Sequence, residues 1–292
     1  MAEEPSSKVL VAGGGVAGLA AVRALQAAAP GHFDVELITP QRHVTTRSLD
    51  AGPPFLRATT ARVELAELAG ELGFRFTRDA LEAVDPGARE LLTQGGAQRF
   101  YDTLILALGT RPAVAVEGTV PFRGLEDLGA VVAALEPVAS MAYVARSANM
   151  WTPPLYEVAL QTAAWAAHRG VALRVLVVTA ERTTDPLSAR LLASGIGLMD
   201  ETVVERFHDG RLELAGGGTI SAEIAVALPH LVGRAVSGLP PGAANGFTDV
   251  DETGRVTGVE DIYAVGDMTG SRLLAARQAG LAADAIAARA VV

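Results

Sequence analysis

The 292-residue chain contains no cysteine. That removes disulfides, thiolate metal sites, the Cys-x-x-Cys redox pair and any cysteine persulfide chemistry, and it leaves the redox compartment unread. Lysine is almost as scarce, Lys8 being the only one, and arginine carries the rest of the positive charge. This is a compositional bias with no weight for a site. There is no long basic run, and the formal charge is −9. Both facts argue against the phosphate-neutralising surface that nucleic-acid binding needs, so the expected partner is a small molecule or an electron carrier. No stretch of spanning length is free of charges or breakers. The apolar run over residues 9–29 follows an acidic start and is interrupted by glycines and Arg23, so it reads as core rather than signal sequence. The expectation is a cytoplasmic protein that does not enter the membrane. His43, His168, His208 and His230 are scattered without metal-ligand spacing, and no metal is assigned.

What is present is apolar bulk. Half of the residues are hydrophobic and a fifth are charged, enough to bury one large core or two ordinary ones. Residues 8–12 form a strand-type run, glycines follow, and residues 16–28 carry a helical pattern that stops at Pro30-Gly31. Residues 33–39 are a second strand. Strand, glycine turn, helix and strand within about thirty residues make the βαβ unit of a parallel sheet. Residues 63–72 read as a helix and 101–108 as a buried strand. From about Pro121 the order begins again, with strands at 139–145 and 173–179 around a helix at 155–168, although no repeat shows in the sequence. Residues 261–265 are a last strand, leading through Gly266-Asp267 into a closing helix over 273–290. The expected architecture is α/β, with two Rossmann-like domains of which the first is discontinuous: residues 1–115 and 243–292 form one, and residues 116–242 the other.

Gly13-Gly14-Gly15-Val16-Ala17-Gly18 is a G-x-G-x-x-G between strand and helix. Gly13 permits the tight turn, Gly15 lets a pyrophosphate approach the backbone, and Gly18 allows close packing of helix on strand. The phosphates would sit on the helix N-terminus, contacting the turn up to Val16 and Ala17. Where an acid usually meets the adenosine ribose, at the end of the second strand, this chain has Thr39, a weaker partner than a carboxylate. Nearby Arg42 offers the alternative of reading a 2′-phosphate, and Arg47 is a further candidate contact.

The segment Thr257-Gly258-Val259-Glu260-Asp261-Ile262-Tyr263-Ala264-Val265-Gly266-Asp267 resembles the C-terminal FAD fingerprint of the two-dinucleotide-domain flavoproteins, the class of glutathione reductase, ferredoxin reductases and type II NADH dehydrogenases. Residues 101–112, with Leu108-Gly109-Thr110-Arg111-Pro112 at their end, resemble that family's middle motif. The resemblance implies FAD as cofactor, with Gly109, Gly266 and Asp267 at its site and Asp267 on the ribityl chain. Within the class, Trp151-Thr152-Pro153-Pro154-Leu155-Tyr156-Glu157-Val158-Ala159 is similar to a stretch of sulfide:quinone oxidoreductase and flavocytochrome c sulfide dehydrogenase. That likeness implies that Glu157 lies near the isoalloxazine, where a carboxylate of low-dielectric surroundings can relay protons. A glutamate favourably placed at a helix N-terminus has the same appearance, and Trp151 and Tyr156 read either as flavin-lining or as packing.

The departures from the family are specific. Sulfide oxidation depends in those enzymes on cysteines, which this chain lacks. NADH-using relatives carry a second G-x-G-x-x-G after the first strand of the second domain. Here residues 145–150 read Ala145-Arg146-Ser147-Ala148-Asn149-Met150. Residues 269–275 are short beside the relatives, which bring a lysine or glutamine to the flavin there. The expected function is an FAD-dependent oxidoreductase acting on an unidentified small molecule or electron carrier at the flavin between the two domains, without tightly bound NAD(P)H and with Glu157 as the catalytic candidate. The alternatives are an FAD-containing binding or regulatory subunit, a non-redox flavoenzyme such as an isomerase or cyclase, and an NAD(P)H-dependent flavin reductase. The expected assembly is a homodimer or one subunit of a larger complex.

Overall fold

The computed structural model describes residues 6–47, 60–113, 116–123, 127–135, 138–147, 152–183, 186–243, 245–271 and 273–290. The contacts divide them into two units. One takes in the residues up to Thr46, Thr60–Arg111 and those from Val232 onward; the other contains Pro112–Leu231. The return to the first unit thus falls at Val232 rather than at residue 243. The reason is packing: Val236 and Leu239 join a cluster with Leu10, Leu104 and Met268, and Ser237 accepts a hydrogen bond from the Val84 amide at 2.9 Å.

In the first unit, the strands Ser7–Ala12, Phe33–Ile38, Arg75–Thr77, Thr103–Leu106 and Ile262–Ala264 form one parallel sheet. The chain's first strand is its centre, between Thr103–Leu106 and Phe33–Ile38. Such a strand is covered on both faces and so reads as continuous apolar sequence rather than as an alternation. Val9 and Val11 pack against Ala21, Val22 and Leu25 of the helix Val16–Ala28 and against Ala279, Ala282 and Ala283 of the helix Ala275–Ala290. Leu10 and Ala12 face the opposite side, with Val84, Leu104 and Ile262. The expected helix over 63–72 begins only at Leu65. Val63 and Glu64 end a strand, Thr60–Glu64, because Glu64 is extended at φ −66°, ψ 129° and the Leu65 amide donates to the Arg42 carbonyl rather than to a helical acceptor.

The second unit repeats the plan. Its parallel sheet runs Val120–Pro121, Ile224–Ala227, Ser140–Ala145, Arg174–Thr179 and Gly197–Met199 in spatial order. Met141, Tyr143 and Ala145 meet Leu155, Val158 and Ala159 of the helix Pro153–Arg169, while Ala142 and Val144 face Leu212 and Ala222. Each unit also carries three short antiparallel strands before the last strand of its βαβ series: Leu81–Asp85, Glu90–Thr93 and Gln98–Phe100 in one, Val204–His208, Arg211–Leu214 and Thr219–Ser221 in the other. In both sheets the order is an edge strand, then the last, first, second and third strands of the series. The fold is therefore α/β with two Rossmann-like domains. Among the described residues, no helix is long and apolar enough to cross a membrane.

Candidate functional site

The glycines of the first turn are not equivalent. Gly13 has φ +117°, and a Cβ there would lie 2.2 Å from the Ala107 carbonyl oxygen. A Cβ on Gly18 would come within 1.8 Å of the Gly13 carbonyl oxygen, and one on Gly14 within 2.5 Å of the Thr39 methyl. These three are required by the protein's own packing. Gly15 is different: its φ is −79°, and a Cβ there would have nothing within 4 Å. It leaves a cradle at the start of the helix Val16–Ala28. The first helical hydrogen bond runs from the Leu19 amide to the Gly15 carbonyl at 3.1 Å. The amides of Val16, Ala17 and Gly18 thus have no acceptor among the described residues, as expected of a helix N-terminus. Val16 is 61% exposed. An open backbone, unpaired N–H groups and the positive end of the dipole suit a pyrophosphate.

The family-like segments at 101–112 and 257–267 converge on this turn. The Ala107 amide donates to the Ala12 carbonyl at 2.8 Å, and the Val265 amide to the Leu106 carbonyl at 2.9 Å. The Leu108 amide points at Met268 Sδ, 3.4 Å away. Gly109 then turns the chain with φ +64°. Gly266 has φ +80°, and a Cβ there would sit 2.6 Å from the Ala17 Cβ. Asp267 lies in the 3-10 turn Gly266–Thr269. It is exposed, and its carboxylate has no donor among the described residues. Gly13, Gly15, Val16, Ala17, Gly18, Gly109, Gly266 and Asp267 are accordingly brought together at one end of one sheet, where an extended dinucleotide with a ribityl chain fits the donors and the carboxylate on offer.

At the adenosine end the side chains differ from the sequence expectation. Thr39 is fully buried, and its hydroxyl is turned to the Gln41 side-chain oxygen. Gln41 itself is exposed, so it rather than Thr39 presents a polar group outward. Arg42, the candidate reader of a 2′-phosphate, forms a 3.1 Å ion pair with Glu64. Arg47 ends the strand His43–Arg47, and its side chain lies outside the described residues.

A residue of the closing helix enters the site without having been singled out. Gln278 is 7% exposed. Its Oε1 accepts the Gly266 amide at 3.0 Å and lies 3.1 Å from the Thr269 hydroxyl, while its Nε2 donates to the Leu273 carbonyl at 2.7 Å. The signal in the sequence was a lone amide side chain amid alanines, where a helix needs no polar group.

In the second unit the corresponding helix starts otherwise. Asn149, Met150 and Trp151 lie outside the described residues, and Arg146 is exposed. The helix Pro153–Arg169 starts with two prolines, which have no N–H. Its next two amides, of Leu155 and Tyr156, both donate to the Thr152 carbonyl, at 2.9 and 3.2 Å. The first helical turn thus offers an anion none of the donors that Val16, Ala17 and Gly18 offer. Tyr156 is buried in the unit's core. The Glu157 carboxylate is 13% exposed and lies 3.8 Å from the Arg190 guanidinium. That contact ties the helix Pro153–Arg169 to the helix Pro186–Ala193, and Glu157, the fifth residue of its helix, lies beyond the first turn, which holds no acidic residue. Among the described residues, no group of three histidines or carboxylates is placed to hold a metal.

No protein-family model and no curated protein matches the sequence. Solved structures do match. The chain superposes on the sulfide:quinone oxidoreductase of the hyperthermophilic bacterium Aquifex aeolicus with a TM-score of 0.78 at 19% identity, covering 96% of this chain and 76% of that one. For the ferredoxin reductase of the CYP199A2 system from Rhodopseudomonas palustris the TM-score is 0.63 at 20% identity, with 98% and 76% covered. For an NAD-dependent persulfide reductase from A. fulgidus it is 0.62 at 20% identity, and there the chain spans only 59% of the other protein. At these identities the likeness is one of fold, and this chain has the fold of those oxidoreductases.

Proposed function

We propose that the protein is an FAD-dependent oxidoreductase that exchanges electrons with a small organic molecule or an electron carrier and does not hold a nicotinamide dinucleotide tightly. One observation carries this reading: the open cradle at Gly15 and the exposed Asp267 carboxylate, unpaired among the described residues, stand at the same end of one sheet, joined by Gly266 against Ala17. FAD, when bound, supplies the redox chemistry. The chain's own residues bind and orient it. The amides of Val16, Ala17 and Gly18 take the pyrophosphate, and Gly13, Gly14 and Gly18 keep the turn tight enough to present them. Asp267 accepts hydroxyls of the ribityl chain, and Gly109 and Gly266 give the backbone its close approach. Gln41, held by Thr39, faces the ribose, and Arg47 is a further candidate contact. The solved structures of the same fold, a sulfide:quinone oxidoreductase, a persulfide reductase and a ferredoxin reductase, support a redox role. The absence of cysteine argues against sulfide or persulfide as the substrate.

The protein is expected to purify yellow, with FAD that heat denaturation releases, since no cysteine is available for a thioether link. A colourless protein that FAD cannot reconstitute would overturn the reading. Replacing Asp267 with alanine should weaken FAD binding by roughly 1.5–3 kcal/mol, the scale of a hydrogen bond to a charged group; equilibrium dialysis of the two proteins measures it. The Glu157–Arg190 pair favours a second reading, in which the FAD is structural and the chain is a binding or regulatory subunit. Anaerobic mixing with candidate electron donors separates the two, because a structural flavin keeps its oxidised spectrum.

A further inference from the structure

The closing helix touches the Asp267 turn through one side chain. Gln278 is buried and uses both ends of its carboxamide: Oε1 receives the Gly266 N–H at 3.0 Å, and Nε2 donates to the Leu273 carbonyl at 2.7 Å. The orientation is dictated by these partners. Reversing the amide would set N–H against N–H at Gly266 and oxygen against oxygen at Leu273. Thr269 locks the far side of the turn, its single hydroxyl proton lying between the Gly266 carbonyl at 2.9 Å and Gln278 Oε1 at 3.1 Å, while its oxygen accepts the Ser271 amide at 3.2 Å. The Gly266 carbonyl and amide are thus both engaged by the pair Thr269 and Gln278. Gly266 has a positive φ and is buried, so without Gln278 its N–H would be left unsatisfied. Asp267, one residue on, has no donor of its own among the described residues to fix it. Its position follows from the backbone that Gln278 and Thr269 hold.

We infer that Gln278 is a positioning residue for the flavin half of the cofactor: through Gly266 it sets the Asp267 carboxylate for the ribityl chain, and it has no part in holding the pyrophosphate. The inference rests on the FAD reading above and goes beyond it by dividing the site in two. Gly266 meets the turn only by packing on Ala17; the hydrogen bond and close contacts that hold Gly13, Gly14 and Gly18 come from Ile38, Ala107 and Thr39, and Gln278 hydrogen-bonds to none of these three. Ligands that use only the turn should therefore ignore a change at Gln278, and ligands that also use Asp267 should not.

The test compares FAD with ADP on protein freed of flavin, by isothermal titration. Gln278→Met keeps length and helix preference while deleting every hydrogen bond of the amide. FAD is expected to bind about ten- to a hundredfold more weakly, the loss that follows from leaving a buried donor unpaired and its turn loose. ADP should bind as it does to the wild type. Gln278→Glu keeps an acceptor for the Gly266 amide and should fall between the two for FAD, again with ADP unchanged. If Gln278→Met does not fold, the ratio of FAD to ADP affinity in Gln278→Glu decides by the same criterion. Equal weakening of both ligands would show that Gln278 merely supports the domain, and unchanged FAD binding would show that it positions nothing. Either result overturns the inference. A wild type that binds neither ligand would instead remove the FAD reading itself.

Discussion

At the scale of single residues, glycines with the same place in one motif are separated by what surrounds them. Gly18 is demanded by the fold, since its added Cβ would meet backbone oxygen at 1.8 Å. Gly15 has an ordinary φ and empty surroundings, so the folded protein alone has little need of glycine there. Two alanine substitutions should therefore part company. Gly18→Ala is expected to destabilise by about 2 kcal/mol or more, the cost of forcing backbone apart in a packed site. Gly15→Ala should cost less than about 1 kcal/mol as a change at a helix N-cap, yet it should abolish measurable FAD binding, because its methyl occupies the space the phosphates need. Urea unfolding and FAD titration of both variants check this. A Gly15→Ala protein that binds FAD normally would show that the cradle is not the phosphate site.

At the scale of elements, the segment that enters the helix Leu128–Ala133 is held by charge. The Asp127 carboxylate accepts the Arg123 amide at 2.7 Å and its guanidinium at 2.6 and 2.8 Å. Those hydrogen bonds with Arg123 hold the carboxyl below the usual aspartate range, against the opposing effect of burial. A depressed folded pKa contributes stability above the unfolded value of about 3.9 and loses it as pH falls through the folded value. Asp127→Asn should thus cost about 1 kcal/mol at pH 7, discounted because Arg123 is half exposed. The gap from wild type should close as unfolding is repeated toward pH 3; a gap independent of pH would exclude the charge as its source. Much at this scale was legible in the sequence. The strand Ser7–Ala12 and the helix Val16–Ala28 announce themselves by unbroken apolar sequence and by 3.6-residue periodicity, because each is buried on the faces that the pattern reports. The six short antiparallel strands were not legible. A strand such as Gln98–Phe100 is largely exposed, so no apolar alternation marks it, although its partner Glu90–Thr93 is the strand just before it in the chain. The brace at Gln278 escaped for another reason: its partners Gly266, Thr269 and Leu273 form a three-dimensional set that no contiguous motif spells out. The Thr39 position was legible as a departure from an acid, but the exchange of the outward-facing role to Gln41 depends on rotamers that sequence does not carry.

At the scale of the whole molecule, the two units follow one succession of strands and helices, with the same strand order in their parallel sheets, and differ at the turn where that fold receives a dinucleotide. In the first, three glycines bring the strand Ser7–Ala12 directly into the helix Val16–Ala28 and leave the amides of Val16, Ala17 and Gly18 without acceptors among the described residues. In the second, the helix Pro153–Arg169 opens with two residues that have no N–H, and the Leu155 and Tyr156 amides are both taken by the Thr152 carbonyl. Among the described residues of that helix's first turn a pyrophosphate would find no free amide, and the sequence there has no glycine. Arg146 is exposed on the same turn, and one guanidinium can attract phosphates from solution, but a single screened charge at the surface contributes only about 1 kcal/mol and fixes no orientation of the nicotinamide ring. The expected outcome is that NADH and NADPH reduce the protein-bound flavin far more slowly than the ~10 s⁻¹ of a typical enzyme turnover, with rates that rise linearly with nucleotide concentration and do not saturate. Anaerobic stopped-flow mixing, followed at the oxidised flavin band, measures this directly. Raising the salt concentration should slow what reduction remains, since Arg146 acts through a screened charge. Rapid, saturable, salt-insensitive bleaching would mean that the second unit binds phosphates by a mode that needs neither glycine nor helix amides, and it would make a nicotinamide-dependent reductase the better reading of the chain.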